Sequence, residues 1–185
     1  MQARSDTPAS HVGMLLLAHP VLKEPSFARS VVLLTSHDAH GALGVVLNQP
    51  HEQRLGDVSK EFAIGPLAAV PLYRGGPVET DKLIFAGWRW LEERSEFQIQ
   101  FGLDPVRAEQ LALDASATLR GFFGYAGWSA GQLEQEMEVG TWVVAEPADF
   151  DLSAKDGAAL WRQLLGAVNP QLLVSADEPE DPARN

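Results

Sequence analysis

Ser30-Val31-Val32-Leu33-Leu34-Thr35 and Ala42-Leu43-Gly44-Val45-Val46-Leu47 are two aliphatic runs separated only by the polar stretch Ser36 to Gly41. The first run is continuous, rich in β-branched residues and bounded by turn formers, which suits a strand buried on both faces. Two such runs at this spacing predict a β-hairpin. Working outward, Met14 to Leu17 predicts a strand before the hairpin, followed by a loop bounded by Pro20 and Pro25. After the hairpin come strand signals at Pro71 to Arg74, which runs into Gly75-Gly76-Pro77, and at Leu83 to Trp90. From Phe97 to Phe101 apolar and polar residues alternate, with Phe97, Ile99 and Phe101 on one face, as in a half-buried antiparallel strand.

Helix signals come later. Asp104-Pro105 reads as an N-cap with proline at the first helical position, opening a helix towards Leu113. Ser129 and Gln132 have the spacing of a capping box, with Trp128 and Leu133 placed for a hydrophobic staple. Leu133 and Met137 would form its buried stripe, and Gly140 would end it. Thr141 to Ala145 predicts another strand. A last helix, near Ser153 to Val168, carries Leu160, Trp161, Leu164, Leu165 and Val168 at helical spacing. Strands early and helices late favour an α+β fold over a doubly wound sheet.

The chain of 185 residues suits one domain. Residues 1–11 read as a flexible tail, 12–170 as a single α+β domain, and 171–185 as an acidic, mostly disordered tail. Fourteen Lys and Arg against 25 Asp and Glu give a net charge of −11, which repels phosphate backbones and anionic lipid. Neither nucleic acid nor membrane is therefore expected as a direct partner. With no cysteine there is no disulfide, thiolate nucleophile or cysteine-based zinc site. That composition fits a cytoplasmic protein. The apolar stretch Val12 to Ala18 is too short to span a bilayer and ends at His19-Pro20.

Several stretches together resemble one family. They are Leu16-Leu17-Ala18-His19-Pro20 with Phe27 and Ser30 to Val32, Gly41 through Pro50, Gly75-Gly76-Pro77-Val78, and Gly124 to Trp128 with Gly131 to Glu134. In this ordered set the chain is similar to the AlgH/YqgE family of bacterial proteins, over about Met14 to Leu165. The resemblance implies an α+β fold with a largely antiparallel, bifurcated, barrel-like β-sheet and helices packed on it. It also implies a link to regulation, transcriptional regulation included, through a family name taken from alginate synthesis. The sequence departs from the family pattern at His19, Trp88 and Trp90, and between Leu103 and Leu119.

Three motifs invite chemical readings. Gly127-Trp128-Ser129-Ala130-Gly131 fits G-x-S-x-G, but the last histidine is His51, so no general base follows Ser129 in the order that hydrolases use. His37-Asp38-Ala39-His40 could offer metal ligands, yet it falls in the predicted turn and lacks a second cluster. Glu134, Glu136 and Glu138 read as a solvated helix face opposite Leu133 and Met137. No catalytic residue, metal or cofactor is assigned. The remaining expectation is a ligand site at the loops that close the strands, from Asn48, Arg74, Gly75, Gly76 and Gln132. An Asn amide, a guanidinium and free backbone N–H groups would suit a small anionic ligand or an acidic segment of a partner protein. The expected function is thus a non-enzymatic binding or regulatory domain. The alternative is a hydrolase-like enzyme using the surface around Ser129 and Arg74.

Overall fold

In the computed structural model, residues 10–147, 150–152 and 155–177 are described. The expected tails fall largely outside them, at 1–9 and 178–185. The hairpin is present as β2 (Val31–Asp38) and β3 (Gly41–Val46), antiparallel, with Val32 opposite Val46 and Asp38 opposite Gly41. Its turn is tight because Asp38 Oδ1 accepts the His40 N–H at 2.7 Å. β1 (Leu15–Ala18) lies antiparallel between β2 and β9 (Trp142–Ala145).

The other side of β3 is held by β8 (Ala117–Ser129), which also pairs with β5 (Pro71–Arg74) and β6 (Val78–Leu91). β4 (Pro50–Arg54) borders β5, and β7 (Glu96–Leu103) borders β6. β5 runs parallel to β8 and the remaining pairings are antiparallel, so the sheet is mixed. It curls into a half-barrel with few helices, and the fold is α+β. β3 and β5 share one edge of β8, β5 along Gly121–Phe123 and β3 along Ala126–Ser129. That sharing positions the site described below.

Strict alternation divides the core. Leu15, Leu17, Val31, Leu33, Val45 and Leu47 face helix α4 (Gly157–Val168), meeting its Leu160, Trp161, Leu164 and Leu165. Leu16, Val32, Leu34 and Val46 face the opposite way, onto Trp128, Leu133 and Trp142. Burial of β1 and the first half of β2 on both sides is why their sequences are continuously apolar. A third cluster gathers Leu72, Phe85 and Leu119 under α2 (Pro105–Ala112), whose Asp104 cap accepts the Arg107 N–H.

Three boundaries differ from the sequence reading. α4 starts at Gly157 after an Asp156 cap, not near Ser153. Residues 171–177, placed in the tail, belong to helix α5 (Pro170–Asp177), where Leu172 and Leu173 pack on the core. α3 (Gln132–Glu138) begins after Gly131 at φ 75°, so Ser129 ends β8 and does not cap the helix. α1 (Leu55–Val58), which buries Leu55, had no expectation attached.

Candidate functional site

Alternation along β5 buries Leu72 and Tyr73 and leaves Arg74 exposed at the strand end. The Arg74 N–H donates to the Gln49 carbonyl at 2.9 Å, anchoring the backbone. Its guanidinium makes no hydrogen bond or ion pair among the described residues. The chain then passes between β8 and β3. The Gly75 N–H donates to Phe123 O and the Gly75 carbonyl accepts from Val46 N, both at 2.8 Å. A Cβ on Gly75 would strike the Gly124 carbonyl, and one on Gly76, at φ 151°, would strike the Tyr125 backbone. The glycines are there for this close approach. The expected free N–H at Gly75 is already bonded within the sheet.

Beside this crossing lies a cleft of about 420 Å³, lined by Arg74, His51, Thr80, Ser26 and Gly76, with Phe123 and Pro77 among its apolar walls. Gln49 donates through Nε2 to Ser26 O at 3.0 Å and so fixes the loop on one rim. His51 Nδ1 accepts the Gln53 N–H at 3.3 Å, which puts the proton of a neutral ring on Nε2. The ring tilts against Phe123 with centroids 6.1 Å apart. The polar side chains of this cleft are therefore rich in donors.

The other candidates lie elsewhere. Asn48 is buried, with Oδ1 accepting from Val31 N at 2.8 Å and Nδ2 donating to Arg29 O at 2.9 Å and Gly157 O at 2.8 Å. It clips β2 and the start of α4 together from inside. Gln132 lines a second cleft with Phe27, Trp128, Glu136 and Trp142. Arg74 pairs with Phe123 on β8, whereas Gln132 bonds Ser129, six residues further along the strand. At roughly 3.3 Å per residue the two anchor points are about 20 Å apart. Arg74 and Gly76 thus share a cleft, and Asn48 and Gln132 stand apart from it.

The sequence profile of the AlgH-like family (DUF179) matches residues 15–173. The chain belongs to that family. It is 37% identical over 194 residues to a UPF0301 protein of Streptomyces coelicolor, covering 96% of each chain. It is 36% identical over 199 residues to one of Thermobifida fusca, covering 100% of each. Among solved structures, a Corynebacterium diphtheriae protein matches with TM-score 0.65 and 26% identity, over 96% of this chain and 95% of that one. The solution structure of the AlgH protein of Pseudomonas aeruginosa matches with TM-score 0.61 and 28% identity, over 98% of this chain and 100% of that one. The resemblance seen in the sequence is thereby confirmed.

In this AlgH-like fold the remaining motifs take structural places. Ser129 Oγ donates to Gln132 Oε1 at 3.1 Å, and the same oxygen accepts the Ser129 N–H at 3.1 Å. Half of the capping box therefore exists, made by Gln132 reaching back. His37 sits inside β2, not in the turn, and is buried. Its Nδ1 accepts the His11 N–H at 3.1 Å and its Nε2 donates to Glu134 Oε1 at 2.8 Å. His40 points into solvent, and no group of three potential metal ligands occurs among the described residues. His19 is a turn histidine, its Nδ1 accepting Val21 N. The helix acids are not simply a solvated face: Glu134 holds His37, and Glu136 accepts from both Trp128 and Trp142.

The AlgH-like core also holds a charge that the sequence reading missed. Arg120, 4% exposed, donates to Leu47 O at 2.9 Å and Leu152 O at 3.1 Å. Its guanidinium lies 4.3 Å from the Tyr73 ring centre and 5.2 Å from that of Trp88. Burial lowers the Arg120 pKa and raises that of Tyr73, whose hydroxyl donates to Asp156 at 3.2 Å. The available signal was an arginine in the middle of Leu119-Arg120-Gly121-Phe122. Among the described residues no helix is long and apolar enough to cross a membrane.

Proposed function

We propose that this AlgH-like protein is a non-enzymatic binding domain of the cytoplasm, with a regulatory role, that takes an anionic group in the Arg74 cleft. The observation that carries the reading is a guanidinium without a partner among the described residues, lining a cleft whose other polar side chains offer donors. A planar guanidinium can hold a carboxylate or phosphate through two parallel N–H bonds. His51 Nε2 and the Thr80 and Ser26 hydroxyls are available to complete such a shell. The same reading treats the sheet as largely antiparallel and bifurcated at β8, with the cleft at the fork where β3 and β5 leave one edge. The net charge of −11 disfavours a polyanion such as nucleic acid while permitting one small anion beside a local cation. A hydrolase-like enzyme working through Ser129 and Arg74 would need those residues in one site, and about 20 Å of β8 separates their positions.

Native mass spectrometry of the protein isolated from its own host tests this reading. An acidic small molecule or an acidic protein should be retained by the wild type and lost from Arg74→Ala. Retention by both proteins, or recovery of the wild type without added mass, would count against it.

A further inference from the structure

A second cleft, on the other side of the Leu22–Phe27 loop from the Arg74 cleft, has the opposite chemistry. Phe27 stacks on Trp128 with centroids 6.3 Å apart. Both meet Trp142 edge to face, at 5.7 and 5.9 Å. Glu136 of α3 is held at the edges of the two indoles, its Oε2 accepting from Trp128 Nε1 at 2.9 Å and Trp142 Nε1 at 2.7 Å. Its Oε1 accepts from Gln132 Nε2 at 2.9 Å. All three donors are uncharged, so they fix the carboxylate in place without neutralising it. An indole that donates to a carboxylate is polarised towards a more negative ring face, which strengthens its attraction for a cation. The rings, Glu136 and Leu22 line a cleft of about 330 Å³, with exposed Glu24 also on its wall. A clamp between β8 and β9 would account for the bonds of Glu136. It would not account for an open cleft over the clamp with a second acid on its wall.

We propose that this cleft binds the quaternary ammonium head of a small organic cation. Such a head needs no hydrogen-bond acceptor, and the Glu136 oxygens are already engaged. What it needs is aromatic surface with fixed negative charge behind it. The volume falls at the small end of ligand sites, which suits a compact head group. The excess of acids over bases across the whole chain, 25 against 14, favours approach of a cation.

The test is a titration of 15N-labelled full-length protein with butyltrimethylammonium, read at the indole N–H signals. The uncharged isostere 3,3-dimethylbutan-1-ol serves as the comparison. The chain has five tryptophans, so the response is site-resolved. Saturable shifts should appear at Trp128 and Trp142 and not at the other three. The alcohol should bind at least about fivefold more weakly, the loss expected when a cation–π contact is removed. Phe27→Leu should weaken the cation by a similar factor. Because that variant touches packed rings, Glu24→Gln, altered only at an exposed carboxylate, should also weaken it while leaving the thermal midpoint unchanged. Equal shifts from the alcohol, shifts spread over all five indoles, or no shift at Trp128 and Trp142 would each overturn the proposal.

Discussion

At the scale of single residues, Asn48 and Arg74 have the same polar, strand-ending look in the sequence and opposite places in the structure. Asn48 meets three backbone groups from inside the fold. Truncating it leaves the Val31 N–H and the Arg29 and Gly157 carbonyls without that partner, with buried groups among them. Asn48→Ala should therefore cost about 3 kcal/mol, seen as a lowered urea midpoint at unchanged slope. Arg74 touches solvent, so Arg74→Ala should change stability by less than about 0.5 kcal/mol. If the two variants were equally destabilised, the separation into a structural clip and an exposed cation would fail. Glu134 offers a pH test. A bond from its own backbone N–H, and then the His37 contact, hold its pKa below the ordinary 4.5. A depressed carboxylate stabilises the fold above its ordinary pKa, and that contribution is lost as pH falls through the lowered value. Glu134→Gln should thus be less stable than the wild type at pH 7, with the gap closing as the pH falls below 4.5 and through the lowered value. A gap that widens in acid would contradict the assignment.

At the scale of elements, legibility followed burial. The hairpin of β2 and β3 was readable because its strands are apolar without a break and its turn is short. β7 was readable by alternation, with Phe97, Ile99 and Phe101 packed on the core. β4 was not, because an edge strand of sequence Pro-His-Glu-Gln-Arg has no apolar face to alternate. β8 is the central strand, yet its start and length went unread, since Gly121, Gly124 and Gly127 interrupt any period of two. Those interruptions have a cause: a Cβ on Gly124, at φ 72°, would strike the carbonyls of Gly76 and Val78. Of the site, Arg74 and Gly76 were visible as loop residues after a strand. His51, Thr80 and Ser26 were not, because only long-range contacts bring them beside Arg74: the pairing of β4 with β5 for His51, of β6 with β8 for Thr80, and the Gln49 bond for the Ser26 loop. The junction of β8 with α3 is also corrected at this scale. Gln132 bonds both Ser129 and Glu136, while the Ser129 hydroxyl bonds only an exposed side chain. Gln132→Ala should cost on the order of 1 kcal/mol and Ser129→Ala less than half of that, by chemical denaturation. The reverse order would restore Ser129 as the cap.

At the scale of the molecule, one mixed sheet places two clefts of opposite chemistry along β8, near Phe123 and near Trp128. Matches over nearly the full length of relatives from Streptomyces to Pseudomonas fix the family and the fold. The account of function rests on the Arg74 cleft. Its most direct test is a titration of 15N-labelled wild type and Arg74→Ala with inorganic phosphate and with citrate at constant ionic strength, read at the backbone amides. Saturable shifts of Gly76, Thr80 and His51 should appear in the wild type for at least one of these anions, and should be lost in the variant while its remaining spectrum is unchanged. Identical shifts in both proteins, or shifts that never saturate, would contradict an anion site at Arg74.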